Sequence, residues 1–179
     1  MVTFIVRFYL GLALMLGSTH AFAQDASEQY LLGEGDKISI QVFDEPDLTL
    51  DAQIGASGVI NYSYLGDLRV AGKSAQEIEQ EITRLLQDGY LVNPSVNVTV
   101  QQYRPFYING EVRSPGSYPY QPGLTMDKAI ALAGGLTDRA SRRKMYVVSA
   151  NSDDQKQVKA KMQTKIAPGD IISITEGFF

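Results

Sequence analysis

The alternation of apolar and polar positions after residue 30 predicts a series of short β-strands. Residues 37–43 place every second side chain on one face, as a half-buried strand does. Three further short strands are expected at 50–54, 58–62 and 66–70, between glycines that break the pattern. Residues 96–100 alternate again, and we expect this strand to return to the same sheet.

A helix is predicted between these strands. Ser74 and Glu77 have the spacing of a capping box, in which each side chain satisfies a free backbone N–H of the first turn. Asp88-Gly89 provides the stop signal. One apolar stripe at helical spacing lies between the two signals and comprises Ala75, Ile78, Ile82, Leu85 and Leu86.

The second half of the chain is divided by closely spaced turn signals. A strand over 105–109 is predicted first, and a small-residue helix over 126–133 follows Thr125. A hairpin is expected between 145–148 and the segment around Val158. The turn residues assigned here are Gly110, Pro115, Gly116, Gly134 and Gly135.

A Gly-Asp turn that leads into a strand occurs twice. Gly35-Asp36 precedes Lys-Ile-Ser-Ile, and Gly169-Asp170 precedes Ile-Ile-Ser-Ile near the end of the chain. We expect Asp36 and Asp170 to bond nearby backbone amides, which explains them better than a catalytic role does. The complete pattern predicts an α+β protein made of two small units.

The first residues predict export. Arg7 precedes an apolar run of about ten residues, and Ala21-Phe22-Ala23 provides a small-x-small cleavage site. The run is too short to span the bilayer easily, so a cleaved signal peptide over 1–23 is favoured over a short membrane anchor. The mature chain is then expected to have no transmembrane helix.

The amino-acid composition argues against several kinds of catalysis and metal binding. The chain has no cysteine, and its one histidine, His20, lies in the predicted signal peptide. Thiolate catalysis, His-ligated zinc and a histidine general base are therefore not expected in the mature protein, and no cofactor or metal is predicted. Loss of Arg7 changes the net charge from −4 to −5, which argues against a nucleic-acid partner.

Charge is unevenly distributed. Residues 24–90 hold 13 acidic and 4 basic side chains, whereas residues 139–179 hold 8 basic and 4 acidic ones. The simple interpretation is two solvated surfaces. The alternative is a head-to-tail assembly, in which the acidic face of one subunit meets the basic face of the next and closes a ring.

The order of these motifs resembles the polysaccharide biosynthesis/export family. Residues 30–96 resemble its export domain, and residues from 110 onward are similar to a soluble-ligand-binding β-grasp (SLBB) domain. The residues that carry the resemblance are Tyr30, Leu32, Gly33, Gly35, Asp36, Ile38, Ile40, Val42, Phe43, Pro46, Leu48, Gly58, Ile60, Gly66, Asn93, Pro94, Val96, Gly110, Glu111, Val112, Pro115, Gly116, Tyr118, Thr125, Ala129, Ile130, Ala133, Gly134, Gly135, Pro168, Gly169 and Asp170.

The resemblance implies a division of the chain and a function. Residues 1–23 would be the signal peptide, 24–103 the export domain and 104–179 one SLBB domain. It implies a non-catalytic part of a system that exports capsule or exopolysaccharide, assembled as a ring in the periplasm and associated with the outer membrane. It also implies two partners, the extracellular polysaccharide itself and an inner-membrane chain-length regulator.

Three departures from the family pattern qualify these expectations. Ser57 and Ser63 stand where relatives usually have Asp and Pro. There is no cysteine to carry a lipid anchor, and the chain ends at Phe179, directly after the last predicted strand. We therefore expect either a separate outer-membrane β-barrel that completes the channel or a periplasmic accessory role.

Candidate contacts with polymer or neighbouring subunits are aromatic and cationic. Aromatic faces can stack on sugars, and cations can contact acidic sugars, although packing or solvation is the default for each side chain. The carboxylate clusters at 44–47 and 153–154 lie in predicted turns and do not make an opposed glycosidase pair. The candidates are Tyr62, Tyr64, Arg104, Arg113, Tyr118, Tyr120, Arg142 and Arg143.

Two other functions stay open at this point. The first is a monomeric periplasmic carbohydrate-binding accessory protein that uses the β-grasp unit as its ligand site. The second is a small glycan-processing enzyme, which the missing catalytic constellation disfavours.

Overall fold

The computed structural model describes residues 30–150, 152 and 154–177. The predicted signal peptide, part of the turn at 151–154 and the last two residues lie outside the described residues. The described chain folds as two small α+β units joined after residue 102, which confirms the predicted fold class.

The first unit is a three-stranded antiparallel sheet with a helix and a separate hairpin. The central strand β1 (Lys37–Val42) pairs with β2 (Leu50–Gln53) on one side and with β5 (Val96–Gln102) on the other. The prediction that 96–100 returns to the sheet is therefore confirmed. The other elements are a 3-10 turn (Pro46–Leu48), β3 (Val59–Tyr62), β4 (Gly66–Arg69) and α1 (Ala75–Gln87). Strands β3 and β4 pair only with each other.

The apolar stripe of α1 forms one wall of the first core. Ile78, Ile82 and Leu86 are buried in the same cluster as Ile38 and Ile40 of β1. Burial of such side chains contributes about 1.5–3 kcal/mol each, which is why the stripe decides how the helix docks.

The predicted capping box is present at the start of α1. The Glu77 N–H donates to Ser74 Oγ at 3.2 Å, and the Ser74 N–H donates to Glu77 Oε2 at 2.7 Å. These bonds, chiefly the one from the Ser74 backbone, hold the pKa of the Glu77 carboxyl below its usual value of 4.5.

The second unit is a five-stranded mixed sheet with one helix. The central strand β10 (Ile171–Glu176) is parallel to β6 (Phe106–Gly110) on one side and antiparallel to β8 (Ala140–Val148) on the other. The short strands β7 (Gly116–Tyr118) and β9 (Gln157–Lys159) form the two edges, so the order across the sheet is β7-β6-β10-β8-β9. The helix is α2 (Met126–Leu132).

Two features of this sheet differ from the predictions. Strand β7 has only three residues directly after a Pro-Gly turn, which is too short to show an alternation. Strand β8 begins at Ala140 rather than at 145, because the charged residues 142–144 hide the apolar pattern of its first half.

The second core lies between α2 and the sheet. Met126, Ala129 and Ile130 of α2 are buried in one cluster with Phe106 of β6 and Ile172 of β10. Since β10 is the last strand and pairs with β6, the first, this core closes only when the whole unit has been assembled.

The two Gly-Asp turns have the same construction. The Asp36 N–H donates to Gly33 O, and the Asp170 N–H donates to Ala167 O, each at 3.2 Å. Each carboxylate then accepts from the N–H of that same earlier residue, at 2.8 Å in both turns. The intervening glycine has a positive φ in both turns, which an L-side chain rarely adopts.

Arg104 joins the two turns. Its backbone N–H donates to Asp36 Oδ1 at 2.7 Å, and its Nη1 lies 3.5 Å from Asp36 Oδ2. Its Nε donates to the carbonyl of Pro168 in the second turn at 3.1 Å. A Cβ on Gly33 would lie 1.8 Å from the guanidinium, so this glycine leaves the space that the Arg104 side chain occupies.

A row of tyrosines reinforces the same junction. Tyr103 makes edge-to-face contacts with Tyr30 of the first unit and Tyr120 of the second, with centroid distances of 5.0 and 5.4 Å. The Tyr30 hydroxyl donates to Asp36 Oδ2 at 2.5 Å. Burial, followed by this bond to a carboxylate, raises the pKa of Tyr30 far above its usual value.

Replacement of Gly110 tests the closure of the second sheet. Gly110 has a φ of +85°, and an added Cβ would lie 2.0 Å from Ile174 O. We expect Gly110→Ala to lower the free energy of unfolding in urea by at least about 2 kcal/mol, from the positive φ and the clash together. Gly116→Ala is the matched control, because its Cβ would meet nothing within 4 Å. Equal losses in the two variants would contradict this account.

The capping box predicts a pH dependence. The folded pKa of Glu77 is lowered, so its contribution is complete above the ordinary value of 4.5 and is lost as pH falls through the lowered pKa. Glu77→Gln should therefore be less stable than wild type at about pH 7, and this deficit should be smaller at about pH 3. Denaturant unfolding at both pH values measures this difference, and a deficit that is unchanged in acid would disprove it. The exposed Glu34→Gln serves as the control.

Replacement of Asp36 tests the junction. Asp36 is fully buried and accepts from Tyr30, Gly33 and Arg104. We expect Asp36→Asn to cost about 3 kcal/mol, because removing one charge of a buried pair leaves the other uncompensated. The exposed Asp51→Asn should change the free energy of unfolding by less than about 0.5 kcal/mol. Both values come from urea titrations, and a loss in Asp36→Asn no larger than in the control would rule out the proposed constraint.

Candidate functional site

A wide cleft lies over the junction between the two units. It has a volume of about 750 Å³, and its walls include Gly33, Gly35 and Gly169 of the two turns together with Arg104. Tyr107 is 47 % exposed on the same cleft. The guanidinium of Arg104 in this wall is already bonded to Asp36 and to the Pro168 carbonyl.

A second surface lies at the end of the first unit that is remote from the junction. Strand β1 starts beside Asp36 and ends at Val42, directly before Phe43, and α1 starts beside the junction through Leu32–Lys73 backbone bonding. The loops that follow these elements therefore meet at the far end. The exposed side chains there are Phe43, Tyr64, Tyr90 and Val92, and the Tyr64 and Tyr90 rings are 6.2 Å apart.

This distal end also carries acidic groups. A cleft of about 430 Å³ is lined by Phe43, Asp44 and Glu45 on one side and by Ser95 and Asn97 on the other. The two carboxylates are adjacent in the chain, and the opposite side offers only hydroxyl and amide groups. The cleft therefore lacks a pair of facing carboxylates and is suited to hydrogen bonding.

A third surface, which we call the basic cleft, lies on the second unit. It has a volume of about 340 Å³ and is lined by Arg142, Arg143, Lys159, Ala160, Lys161, Met162, Gln163 and Met145. The four cationic residues are exposed, whereas Met145 and Ala160 are buried beneath them. The basic cleft thus combines a cationic rim with a small apolar floor.

Several acidic groups of the second unit have partners outside the basic cleft. Arg139 forms ion pairs with Glu111, at 3.0 Å, and with Glu176. Asp170 is buried in its turn, where desolvation raises the pKa of its carboxyl against the effect of its backbone bonds. Among the described residues, no ion pair involves any of the four cations of the basic cleft.

The four tyrosines predicted as contacts occupy different environments in the structure. Tyr62 is 1 % exposed, and its hydroxyl donates to Leu48 O at 2.7 Å, so the expectation of a polymer contact is corrected to a core position. Tyr118 is half-buried and stacks on Phe106, and Tyr120 belongs to the tyrosine row at the junction. Tyr64 is 69 % exposed, and its assignment as a contact stays a prediction.

The predicted cations also differ in their placement. The Arg104 side chain is 12 % exposed and bonds within the chain, so its role here is to join the units. Arg113 is exposed beside Gly134, apart from the basic cleft. Arg142 and Arg143 are the two candidates that the fold brings together with further cations.

Lys159 and Lys161 are members of this cluster that sequence reasoning misses. They lie 16 or more residues after Arg143 and become neighbours only because β9 pairs with β8. The hairpin is predicted by the sequence, but its register, Tyr146 opposite Lys159, depends on how far β8 extends. Tyr30 and Tyr90 are missed for the same reason, since their partners are distant in sequence.

Metal-binding clusters and membrane-spanning helices are both absent from the described residues. These residues contain no group of three or more acidic, histidine or cysteine side chains placed to bind a metal ion. In this part of the chain no helix has the length and apolarity needed to cross a membrane.

Comparison with known families gives two adjacent matches. The model described as polysaccharide biosynthesis/export protein matches residues 24–101, and the SLBB domain model matches residues 105–159. The boundary between the matches coincides with the segment around Arg104 that joins the two units.

The names of curated relatives refer to polysaccharide production, export or transport. The exopolysaccharide production protein ExoF of Rhizobium meliloti is 32 % identical over 173 residues, which cover 84 % of this chain and 41 % of ExoF. The EPS I polysaccharide export outer membrane protein EpsA of Ralstonia nicotianae is 28 % identical over 170 residues, 80 % of this chain and 44 % of EpsA. The polysialic acid transport protein KpsD of Escherichia coli is 29 % identical over 125 residues, 67 % of this chain and 21 % of KpsD.

The chain therefore spans less than half the length of these relatives. The two matched domains occur in the order that the sequence motifs predicted, and the second match ends at residue 159, before strand β10. The chain belongs to the polysaccharide biosynthesis/export family and carries an SLBB domain after its export domain.

Proposed function

We propose that this protein is a non-catalytic component of a machinery that exports capsule or exopolysaccharide. In this proposal it lies in the periplasm, is associated with the outer membrane, and assembles as a ring around the path of the polymer. The polysaccharide and an inner-membrane chain-length regulator are its proposed partners. The observation that carries the proposal is the pairing of an export domain with an SLBB domain in one chain.

The junction supports a structural role. Arg104 and the tyrosine row bond or contact both units, so the two domains are joined by side chains as well as by the backbone. Neighbouring subunits of a ring can therefore be held by contacts on either domain. Heterologous contacts of this kind close into rings when the rotation between subunits allows it.

The surfaces support binding rather than catalysis. The carboxylates of the acidic cleft at the distal end, Asp44 and Glu45, are adjacent in the chain. The only cation among the described residues that lines the cleft at the junction, Arg104, is bonded within the chain. The exposed aromatic side chains at the distal end, Tyr64 and Tyr90, are suited to contact sugar faces or a neighbouring subunit.

Deletion of the gene tests the proposed function. We expect surface polymer to fall to the background level while polymer accumulates inside the cell, and a plasmid copy should restore export. Polymer would be measured in the two fractions by its uronic acid or total sugar content. Normal amounts at the surface with an altered chain length would contradict the proposal and favour a processing enzyme.

The absence of cysteine makes the ring directly testable. Cysteines introduced at exposed positions are the only thiols in the chain, so each disulfide or bifunctional cross-link reports one contact. The double variant Tyr64→Cys with Arg113→Cys gives each subunit two thiols, one for each neighbour, and the single variant Asp51→Cys is a control that can join at most two chains. A ladder of cross-linked species that ends at one size supports a closed ring. A monomer at every position, with a monomeric native mass at high concentration, would favour the carbohydrate-binding accessory protein instead.

A further inference from the structure

We propose that the basic cleft binds carboxylate-bearing sugar residues, so that the polymer this protein handles is an acidic polysaccharide. This inference rests on the proposed export function and adds the chemical class of the substrate. It is carried by the four cations of the basic cleft, which have no acidic partner among the described residues.

The chemistry of the basic cleft fits a carboxylated sugar on two counts. Arginine offers a planar fork that can hold a carboxylate through two hydrogen bonds, and Arg142 and Arg143 provide two such groups. The partly exposed Met162, above the buried Met145 and Ala160, offers apolar surface for the C–H face of a sugar ring. A simple inorganic anion would use the rim but would gain nothing from the floor.

A cluster of four cations is not expected from the net negative charge of the protein. The chain has a net charge of −4, so a general attraction for polyanions is not expected from its overall field. Attraction must instead be local, where Arg142, Arg143, Lys159 and Lys161 line a single cleft. Among the described residues no acid forms an ion pair with these cations. Glu111 and Glu176 pair with Arg139, and Asp127, whose N–H donates to Met162 O at 3.0 Å, accepts from the Thr125 hydroxyl.

Protection of the sheet edge explains only part of this cluster. Strand β9 is an edge strand, and lysines on such strands commonly prevent pairing with other chains. That explains Lys159 by itself. It does not explain Lys161, which follows β9, or why Arg142 and Arg143, which precede the part of β8 that pairs with β9, line the same cleft as both lysines.

The position of the basic cleft leaves it accessible to a long polymer. Strand β8 ends near the junction, where the Ala150 N–H donates to Asp170 Oδ1. Arg142 lies six residues earlier than Val148, which is about 20 Å along the strand. The basic cleft is thus away from the packed junction, and its floor residues Met145 and Ala160 belong to the edge of the second core.

Binding of defined polymers tests the inference. Purified protein would be titrated with polygalacturonate, which carries one carboxylate per sugar, and with dextran, a neutral polymer of similar length, by isothermal calorimetry. We expect binding of polygalacturonate that weakens as salt is raised, and no binding of dextran. Equal binding of the two polymers, or binding of neither, would overturn the proposal.

Paired variants locate the site. Arg142→Gln with Lys161→Gln removes two cations of the basic cleft and is expected to weaken polygalacturonate binding by about five-fold, from two exposed ionic contacts. Lys156→Gln with Lys165→Gln removes the same charge from the same unit outside the cleft and should bind as wild type does. An equal loss in both pairs would show non-specific attraction and overturn the proposal. Thermal unfolding by circular dichroism confirms that each variant is folded.

Two further outcomes separate this inference from its alternatives. If the Arg142/Lys161 pair lowers the native mass of the protein and leaves polygalacturonate binding unchanged, the basic cleft is a contact with a second copy, and the inference fails. In the deletion strain, normal export by this pair would also overturn the inference but leave the proposed function intact. A deletion strain with normal surface polymer would instead contradict the proposed function itself.

Discussion

The bond network of Asp36 and Arg104 is the constraint on which the rest of the structure depends. Asp36 is buried and ionisable, so it is tolerated only because Tyr30, Gly33 and Arg104 all donate to it. One of those donors is the first backbone N–H of the second unit. The charge that closes the first Gly-Asp turn therefore also fixes where the second unit begins.

The second Gly-Asp turn has the same construction, but its carboxylate has different hydrogen-bond partners. Asp170 accepts backbone bonds from Ala167 and Ala150, and Arg104 reaches this turn through the neighbouring Pro168 carbonyl instead of the carboxylate. Because the arginine can pair with only one of the two carboxylates in this way, the junction is asymmetric. Among the described residues, Arg104 is therefore the one side chain that bonds to both Gly-Asp turns. The distal ends of the two units lie away from this junction.

These distal ends differ in chemistry. The first unit presents aromatic and acidic groups around Phe43 and Asp44, and the second presents the basic cleft around Arg142 and Lys161. Each group of residues is drawn from loops or strands that are distant in sequence. The contacts of Arg104 and the tyrosine row lie between these two surfaces and join the units that carry them.

Local periodicity and short spacings in the chain specify the α+β class, the capping box at Ser74 and Glu77, and the motif order of the family. The expected contacts are less predictable. Tyr62 lies in the core and Arg104 at the junction, and only the tertiary structure brings Lys159 and Lys161 beside Arg142. The physical reason is that burial and strand register depend on partners far along the chain, which local spacing does not specify.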